Sequence, residues 1–270
     1  MSSIDYVPPQ LQAVLEQRPL GLVFDIDGTL SPFAPTPEEA RLYPGVADLL
    51  ARAAQQAHVA IMTGRGIDSG ANLVNVEGLT YIGTHGLEWS EGLPQTHTVQ
   101  IAPEAMAYLE AGQRVLDLAE RELQDLPGCL VERKRIGGTI HYRRCPDPVQ
   151  ARRRILAALE EPVRQANMKI SEGKLAIEVR TPLAIDKGRG LRRFAQQFDL
   201  HGVVFAGDDR TDLDAIMEIK RLRQDGLAAC AIAVQHIDTL PELLENADMV
   251  VQEVPGMVQL LRGVVELLTH

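Results

Sequence analysis

Two aspartates one residue apart, Asp25 and Asp27, follow the apolar run Leu22-Val23-Phe24, and Gly28-Thr29 then opens a turn. Alternate side chains of an extended strand point the same way, so both carboxylates can enter one crevice. Held that close, they repel each other and resist burial unless a cation or a proton sits between them. The stretch is not an EF-hand loop. Its glycine directly follows the second aspartate, no closing Glu comes at the expected offset, and an apolar strand rather than a helix leads in. Three further segments carry complementary groups: Thr63 in Met62-Thr63-Gly64-Arg65, Lys187 in Asp186-Lys187-Gly188, and Asp208-Asp209 after Val203-Val204-Phe205-Ala206-Gly207. Hard oxygen ligands without a His or Cys cluster suit Mg2+ and disfavour zinc. A phosphate ester is the natural partner. A cation between carboxylates and phosphoryl group offsets the repulsion that would keep an aspartate from an anionic ester, while Lys187 and Thr63 can hold the remaining oxygens. Asp25 can then attack in line to form an aspartyl-phosphate. Asp27 can protonate the leaving alcohol and afterwards activate water. No GxxxxGK[ST] loop and no GxGxxG fingerprint is present, which removes the main support for P-loop nucleotide hydrolysis and dinucleotide redox chemistry.

The elements that must position these groups read as an α/β fold with an open parallel sheet. Strands end at Phe24, at Met62 (His58-Val59-Ala60-Ile61-Met62) and at Gly83 (Thr80-Tyr81-Ile82-Gly83), each followed by small or polar residues and separated by helical segments. A short amphipathic helix with Leu11, Val14 and Leu15 precedes them. Around residue 100 the order changes to helix, hairpin, helix, hairpin. The helices are 104–123 and 148–165. The hairpins turn at Gly137-Gly138 and Glu172-Gly173. Residues 103–180 are therefore expected to form an inserted α/β cap, and 1–102 with 181–270 the Rossmann-like core. Alternation in the insert directs Leu175, Ile177 and Val179 toward its helices and Lys174, Ala176 and Glu178 to the opposite face. Ile140 and Tyr142 likewise oppose Thr139, His141 and Arg143, and Glu132 with Lys134 can join the polar face. After residue 181 the first pattern returns: a helix with Leu191, Phe194 and Phe198, the strand ending at Asp208, a capping-box helix start at Thr211-Asp212-Leu213-Asp214, a last strand at 229–234 and a C-terminal helix over 256–268.

Composition sets the bounds. With 270 residues, 45% of them hydrophobic, the chain can bury a large core. A net charge of −10 argues against nucleic acid and anionic lipid as partners. No run of about 18 apolar residues and no leader-like N-terminus is present, so a cytoplasmic location away from membranes is expected. Cys129, Cys145 and Cys230 form no CxxC pair and read as reduced, partly buried residues.

Asp25-Ile26-Asp27-Gly28-Thr29-Leu30, Met62-Thr63-Gly64-Arg65, Asp186-Lys187-Gly188 and Gly207-Asp208-Asp209-Arg210-Thr211-Asp212 resemble the four motifs of the haloacid dehalogenase superfamily. Gly83-Thr84-His85-Gly86-Leu87-Glu88, Glu132 with His141-Tyr142-Arg143, and Lys174 four residues before Glu178 resemble trehalose-6-phosphate phosphatases within it. The resemblance implies Asp25 as nucleophile, Asp27 as general acid/base, Thr63 and Lys187 as phosphate ligands, and Mg2+ held by Asp25, Asp208 and the Asp27 carbonyl. It implies that Glu132, Arg143, Lys174 and Glu178 of a closing cap hold sugar hydroxyls, that Arg65 and His85 touch substrate at the cap-core seam, and that Asp209 and Asp212 support the ligands from behind. It also implies functional coupling to a trehalose-6-phosphate synthase. Two departures stand out: Ile26 where this family more often has Tyr, and Thr63 where Ser is the commoner hydroxyl. Neither removes a reacting group. Phosphatases of sucrose-phosphate or glycosyl-3-phosphoglycerate share the core motifs, a sugar phosphomutase would share the scaffold, and a non-catalytic sensor would be expected to lack one of these residues.

Overall fold

In the computed structural model, which describes residues 7–173 and 175–269, the chain divides into two units, Met1–Gln100 with Ile185–His270, and Ile101–Ala184. In chain order the first unit begins with α1 (Pro9–Leu15), β1 (Leu20–Phe24), α2 (Val46–Ala53), β2 (His58–Met62), α3 (Ile67–Val74), β3 (Thr80–Gly83) and β4 (Glu88–Glu91), and β5 (Gln100–Ile101) stands at the junction. The second unit holds α4 (Leu109–Leu123), β6 (Leu130–Arg133), β7 (Gly138–His141), α5 (Pro148–Gln165), β8 (Lys169–Gly173) and β9 (Ala176–Arg180). The first then resumes with α6 (Lys187–Gln197), β10 (Gly202–Gly207), α7 (Asp212–Gln224), β11 (Ala228–Gln235), α8 (Pro241–Asn246), β12 (Met249–Gln252) and α9 (Glu253–Thr269).

The first unit is built on a sheet of order β12-β11-β10-β1-β2-β3-β4-β5. Its pairs from β12 to β3 are parallel, and β4 turns back antiparallel to β3. Its central strands are apolar on both faces because helices cover both. Leu22, Phe24, Ile61, Val204 and Ile232 pack with residues of α2 and α9, whereas Val23, Ala60, Met62, Phe205 and Ala231 pack with α6 and α7. Each fully buried Leu or Phe on these faces contributes about 1.5–3 kcal/mol. The parallel strands all deliver their C-terminal ends to one edge, the edge that an open α/β sheet uses for ligands. Three strands differ from the sequence expectation, the two-residue β5 among them. β4 was not expected because Glu88 and Ser90 put buried polar groups into it, and β12 because it is four residues long and half-exposed.

In the second unit β6-β7-β9-β8 form an antiparallel sheet. Ile140, Tyr142, Ile177 and Val179 bury against Leu116, Ala119, Ile155 and Leu159 of α4 and α5. Leu175 does not join them. It sits in the hairpin turn at φ 54°, 40% exposed, because β8 runs on through Gly173 and moves the turn two residues along. The first helix is also shorter than expected, since Pro103–Tyr108 forms 3-10 turns before α4 begins. Among the described residues no helix is long and apolar enough to cross a membrane.

Candidate active site

β1 is buried throughout and ends against β10 and β2, so Asp25 emerges between the ends of those two strands. Its carboxylate is 5% exposed. Lys187, the first residue of α6, reaches it with Nζ donating to Asp25 Oδ1 at 2.6 Å and to Asp212 Oδ1 at 2.6 Å. Asp212 is fully buried, and its Oδ2 accepts from the backbone N–H groups of Asp208 (3.0 Å) and Asp209 (2.9 Å). The expected capping box is therefore replaced. Thr211 makes no side-chain cap, and the Asp212 carboxylate turns back to fix the Gly207-Asp208-Asp209 turn and Lys187. Thr29 Oγ1 approaches Asp208 Oδ1 at 3.4 Å from the β1 side.

Carboxylate oxygens of Asp25, Asp208 and Asp212 lie within 4.8 Å of one another, all three residues buried. One ammonium cannot offset three such charges. Burial pushes Asp25 up to about 8 against the pull of Lys187, with Asp212 and Asp27 adding repulsion. Asp208 is likewise raised by burial and by the charges of Asp25, Asp212 and Asp209. Burial works to lower the Lys187 pKa, but Asp212 and Asp25 outweigh it and the net shift is upward, so the ammonium stays charged. Both Asp212 oxygens already accept protein donors, which leaves Asp25 and Asp208 as the carboxylates available to an ion. Excess buried negative charge on oxygen donors is the chemistry of a hard-cation site.

Asp27 faces elsewhere. Arg65 grips its carboxylate with Nε on Oδ2 and Nη2 on Oδ1, each at 2.6 Å, and spends Nη1 on the Pro37 carbonyl at 3.0 Å. Thr63, 4% exposed at the end of β2, accepts from the Arg65 N–H through Oγ1 at 3.1 Å. Thr84, His85 and Gly86 all have positive φ (46°, 58° and 108°), a conformation that is strained for Thr and His. They are tied to the Thr63 loop by Thr84 N–H on the Arg65 carbonyl (2.8 Å) and His85 N–H on the Thr63 carbonyl (3.1 Å). Fully buried Glu88 secures that turn, its Oε2 accepting from Ile67 N–H (2.7 Å) and from Thr84 Oγ1 (3.1 Å).

The first unit thus brings together Asp25, Lys187, Asp208 and Asp212, and separately links Asp27, Thr63, Arg65 and His85. Asp209 is exposed and accepts from the adjacent Arg210 N–H. In the second unit Glu132, Thr139, Glu178 and Ser171 are register neighbours across all four strands and share one face. Lys134 pairs with Glu178 there, and His141 Nε2 lies 2.8 Å from Glu132 Oε2. Arg143 is exposed beyond the end of β7, and Lys174 lies outside the described residues. Sequence reading assigned no role to Glu88 or His236. His236 follows the buried strand β11 as Asp25 follows β1, and that placement was the available signal; its Nε2 lies 2.7 Å from the Gly28 carbonyl.

The family model for trehalose-phosphatases matches residues 23–246. A trehalose-phosphate phosphatase of Mycobacterium avium is 33% identical over 233 residues, covering 83% of this chain and 56% of its own length. A Mycobacterium tuberculosis protein described as an uncharacterized glycosyl hydrolase is 32% identical over 219 residues, 78% of this chain and 16% of its own. The chain therefore spans about half, or less, of the length of these curated relatives. Among solved structures, a trehalose-6-phosphate phosphatase related protein superposes with a TM-score of 0.75 at 23% identity, covering 92% of this chain and 97% of that one. The C-terminal domain of the Candida albicans trehalose-6-phosphate phosphatase gives 0.71 at 20% identity, over 96% and 95%. At these identities the two structures establish the shared fold.

Proposed function

The chain belongs to the trehalose-phosphatase family, and from that premise we propose that it hydrolyses trehalose 6-phosphate to trehalose and phosphate, with Asp25 as nucleophile. The observation that carries this reading is the buried Lys187 ammonium bridging Asp25 and Asp212 at 2.6 Å each, beside Asp208. A cation held by Asp25 and Asp208, Mg2+ by its preference for oxygen, would offset the charge of the phosphoryl oxygens when bound. Lys187 keeps the Asp25 carboxylate aimed and neutralised on one side, and the Thr63 hydroxyl is available to a phosphoryl oxygen. An Asp25 oxygen bonds to phosphorus as the bond to the sugar oxygen breaks, and Asp27 supplies the proton that the leaving alkoxide needs. Water then attacks phosphorus, gives its proton to Asp27, and releases Asp25. Both Asp27 oxygens accept from Arg65, so the pair must open for the carboxyl group to turn toward the leaving oxygen. We assign the opening to the ester, whose phosphate replaces Asp27 as partner of the guanidinium, with His85 beside it. Asp209 and Asp212 hold the Asp208 turn.

The polar face shared by Glu132 and Glu178 supports a sugar-binding role for the inserted unit, 103–180 by the sequence reading, with Arg143 and Lys174 contributing from the same motifs. Work in the cytoplasm, on substrate supplied by a trehalose-6-phosphate synthase, completes the proposal. Phosphate release with Mg2+ from trehalose 6-phosphate, sucrose 6-phosphate, glucose 6-phosphate and glucosyl-3-phosphoglycerate, with Asp25→Asn as blank, tests it. Preference for trehalose 6-phosphate that vanishes in the blank supports the reading; better turnover of another ester, or isomer formed without phosphate, contradicts it.

A further inference from the structure

The loops that leave β1 and β11 meet over Asp208, which ends the strand between them. The hydrogen bond of His236 Nε2 to the Gly28 carbonyl requires that nitrogen to carry the proton, so in the neutral ring Nδ1 is left as an acceptor. The same Nε2 lies 3.9 Å from Asp208 Oδ2. Phe33 joins from the β1 loop, its ring centroid 5.0 Å from that of His236 at an interplanar angle of 60°. The tip of the phenyl ring presses on Gly28. A Cβ at that position would fall 2.7 Å from Phe33 Cζ and 2.2 Å from Asp208 Oδ2, and Gly28 has φ 84°, so only glycine lets ring and carboxylate converge there.

Despite these contacts Phe33 is 54% exposed. Phosphoryl transfer itself has no use for a phenyl ring beside Asp208, and an exposed aromatic at a polar site marks a surface for something apolar. The sheet order places this ring on the β10 side of Asp25, while Thr63 and Arg65 come from β2 on the other side. A leaving group tethered to a phosphate at Asp25 would have charged groups to one side and the Phe33–His236 pair to the other. Sugar rings carry C–H faces that pack on aromatic rings and hydroxyls that seek an acceptor, the pairing of apolar wall and few polar groups common to small-molecule sites.

We propose that Phe33 and His236 form a specificity wall of the core unit, the phenyl face packing against the sugar of the phosphate ester and His236 Nδ1 meeting one of its hydroxyls. The wall rests on the reading of this site as a sugar-phosphate phosphatase. It is tested by kcat/KM of wild type, Phe33→Ala and His236→Gln for trehalose 6-phosphate and for acetyl phosphate, an acyl phosphate with no ring to contact. Phe33→Ala is expected to lower the value for trehalose 6-phosphate about tenfold or more, chiefly through KM, and to leave acetyl phosphate within about twofold. His236→Gln, whose amide can keep the bond to Gly28, is expected to shift the same ratio in the same direction. Equal losses on both substrates, or no loss on the sugar ester, overturn the wall while leaving the phosphatase reading intact. A wild-type protein that turns over acetyl phosphate but none of the sugar phosphates overturns both.

Discussion

Arg65 holds both carboxylate oxygens of Asp27, Nε on Oδ2 and Nη2 on Oδ1 at 2.6 Å each, with the side chains 10% and 34% exposed. The planar fork suits this grip and an ammonium does not, so Arg65→Lys is not conservative here. Arg65→Lys and Arg65→Ala are expected to lower kcat/KM by about ten- to a hundredfold, and Asp27→Asn by about 10²–10⁴. In a double-mutant cycle Arg65→Ala should cost less once Asp27 is Asn, the remainder being its contact with the phosphate. Additive losses would mean that the two residues do not act as a pair.

Glu88 acts on the Thr63 loop through Ile67 and Thr84. Glu88→Ala leaves two buried donors unmet, at about 1–3 kcal/mol for each, and each kcal/mol corresponds to roughly 2–4 °C of Tm in a chain of this size. Glu88→Gln keeps a carbonyl acceptor and should recover most of both Tm and kcat. Recovery of Tm without recovery of kcat would separate folding from positioning and contradict the role given to Glu88.

Burial of Lys187 makes its removal costly. Lys187→Met leaves Asp25 and Asp212 buried without their counter-charge, a loss of about 3–5 kcal/mol. Adding Asp212→Asn should restore part of that stability while activity stays absent. Urea unfolding of the single and double variants reads the difference; an unperturbed Lys187→Met would show that the carboxylates find compensation elsewhere.

The raised Asp25 pKa fixes the sign of a pH effect. Between the ordinary carboxylate value of 3.8 and about 8, the metal-free folded state binds more protons at Asp25 than the unfolded chain does. Its contribution to stability is full at the acid end and is lost as pH rises through that window. Asp25→Asn removes the titration, so its Tm advantage over wild type in EDTA should grow from pH 5 to pH 8. Excess Mg2+ should shrink that advantage by stabilising only the wild type. A pH-independent difference would contradict the account of the acidic cluster.

How much of this could be read from sequence depended on whether a residue's neighbours announce it. Asp25, Thr63 and Asp208 were legible because each ends an apolar β run, where a parallel sheet gathers its polar groups. The partner of Asp27 was not, since Arg65 lies 38 residues away and only the packing of two loops joins them. Thr211 to Asp214 has the spacing of a capping box, yet Lys187 and two backbone N–H groups offer the Asp212 carboxylate more than a cap would. Leu175 kept its alternation with Ile177 on paper and lost it to a two-residue shift of a hairpin turn, which local pattern does not specify. His236 had the right place at a strand end, but a lone histidine carries no pattern.

In the proposed reaction Asp25 becomes phosphorylated by trehalose 6-phosphate and is then freed by water. Rapid acid quenching of a single turnover, followed by borohydride reduction and peptide mass spectrometry, tests it most directly. Residue 25 is expected to be reduced to homoserine on a timescale no slower than phosphate release, with none in Asp25→Asn. Phosphate released at full rate with no modification at Asp25, or a fully active Asp25→Asn protein, would contradict it.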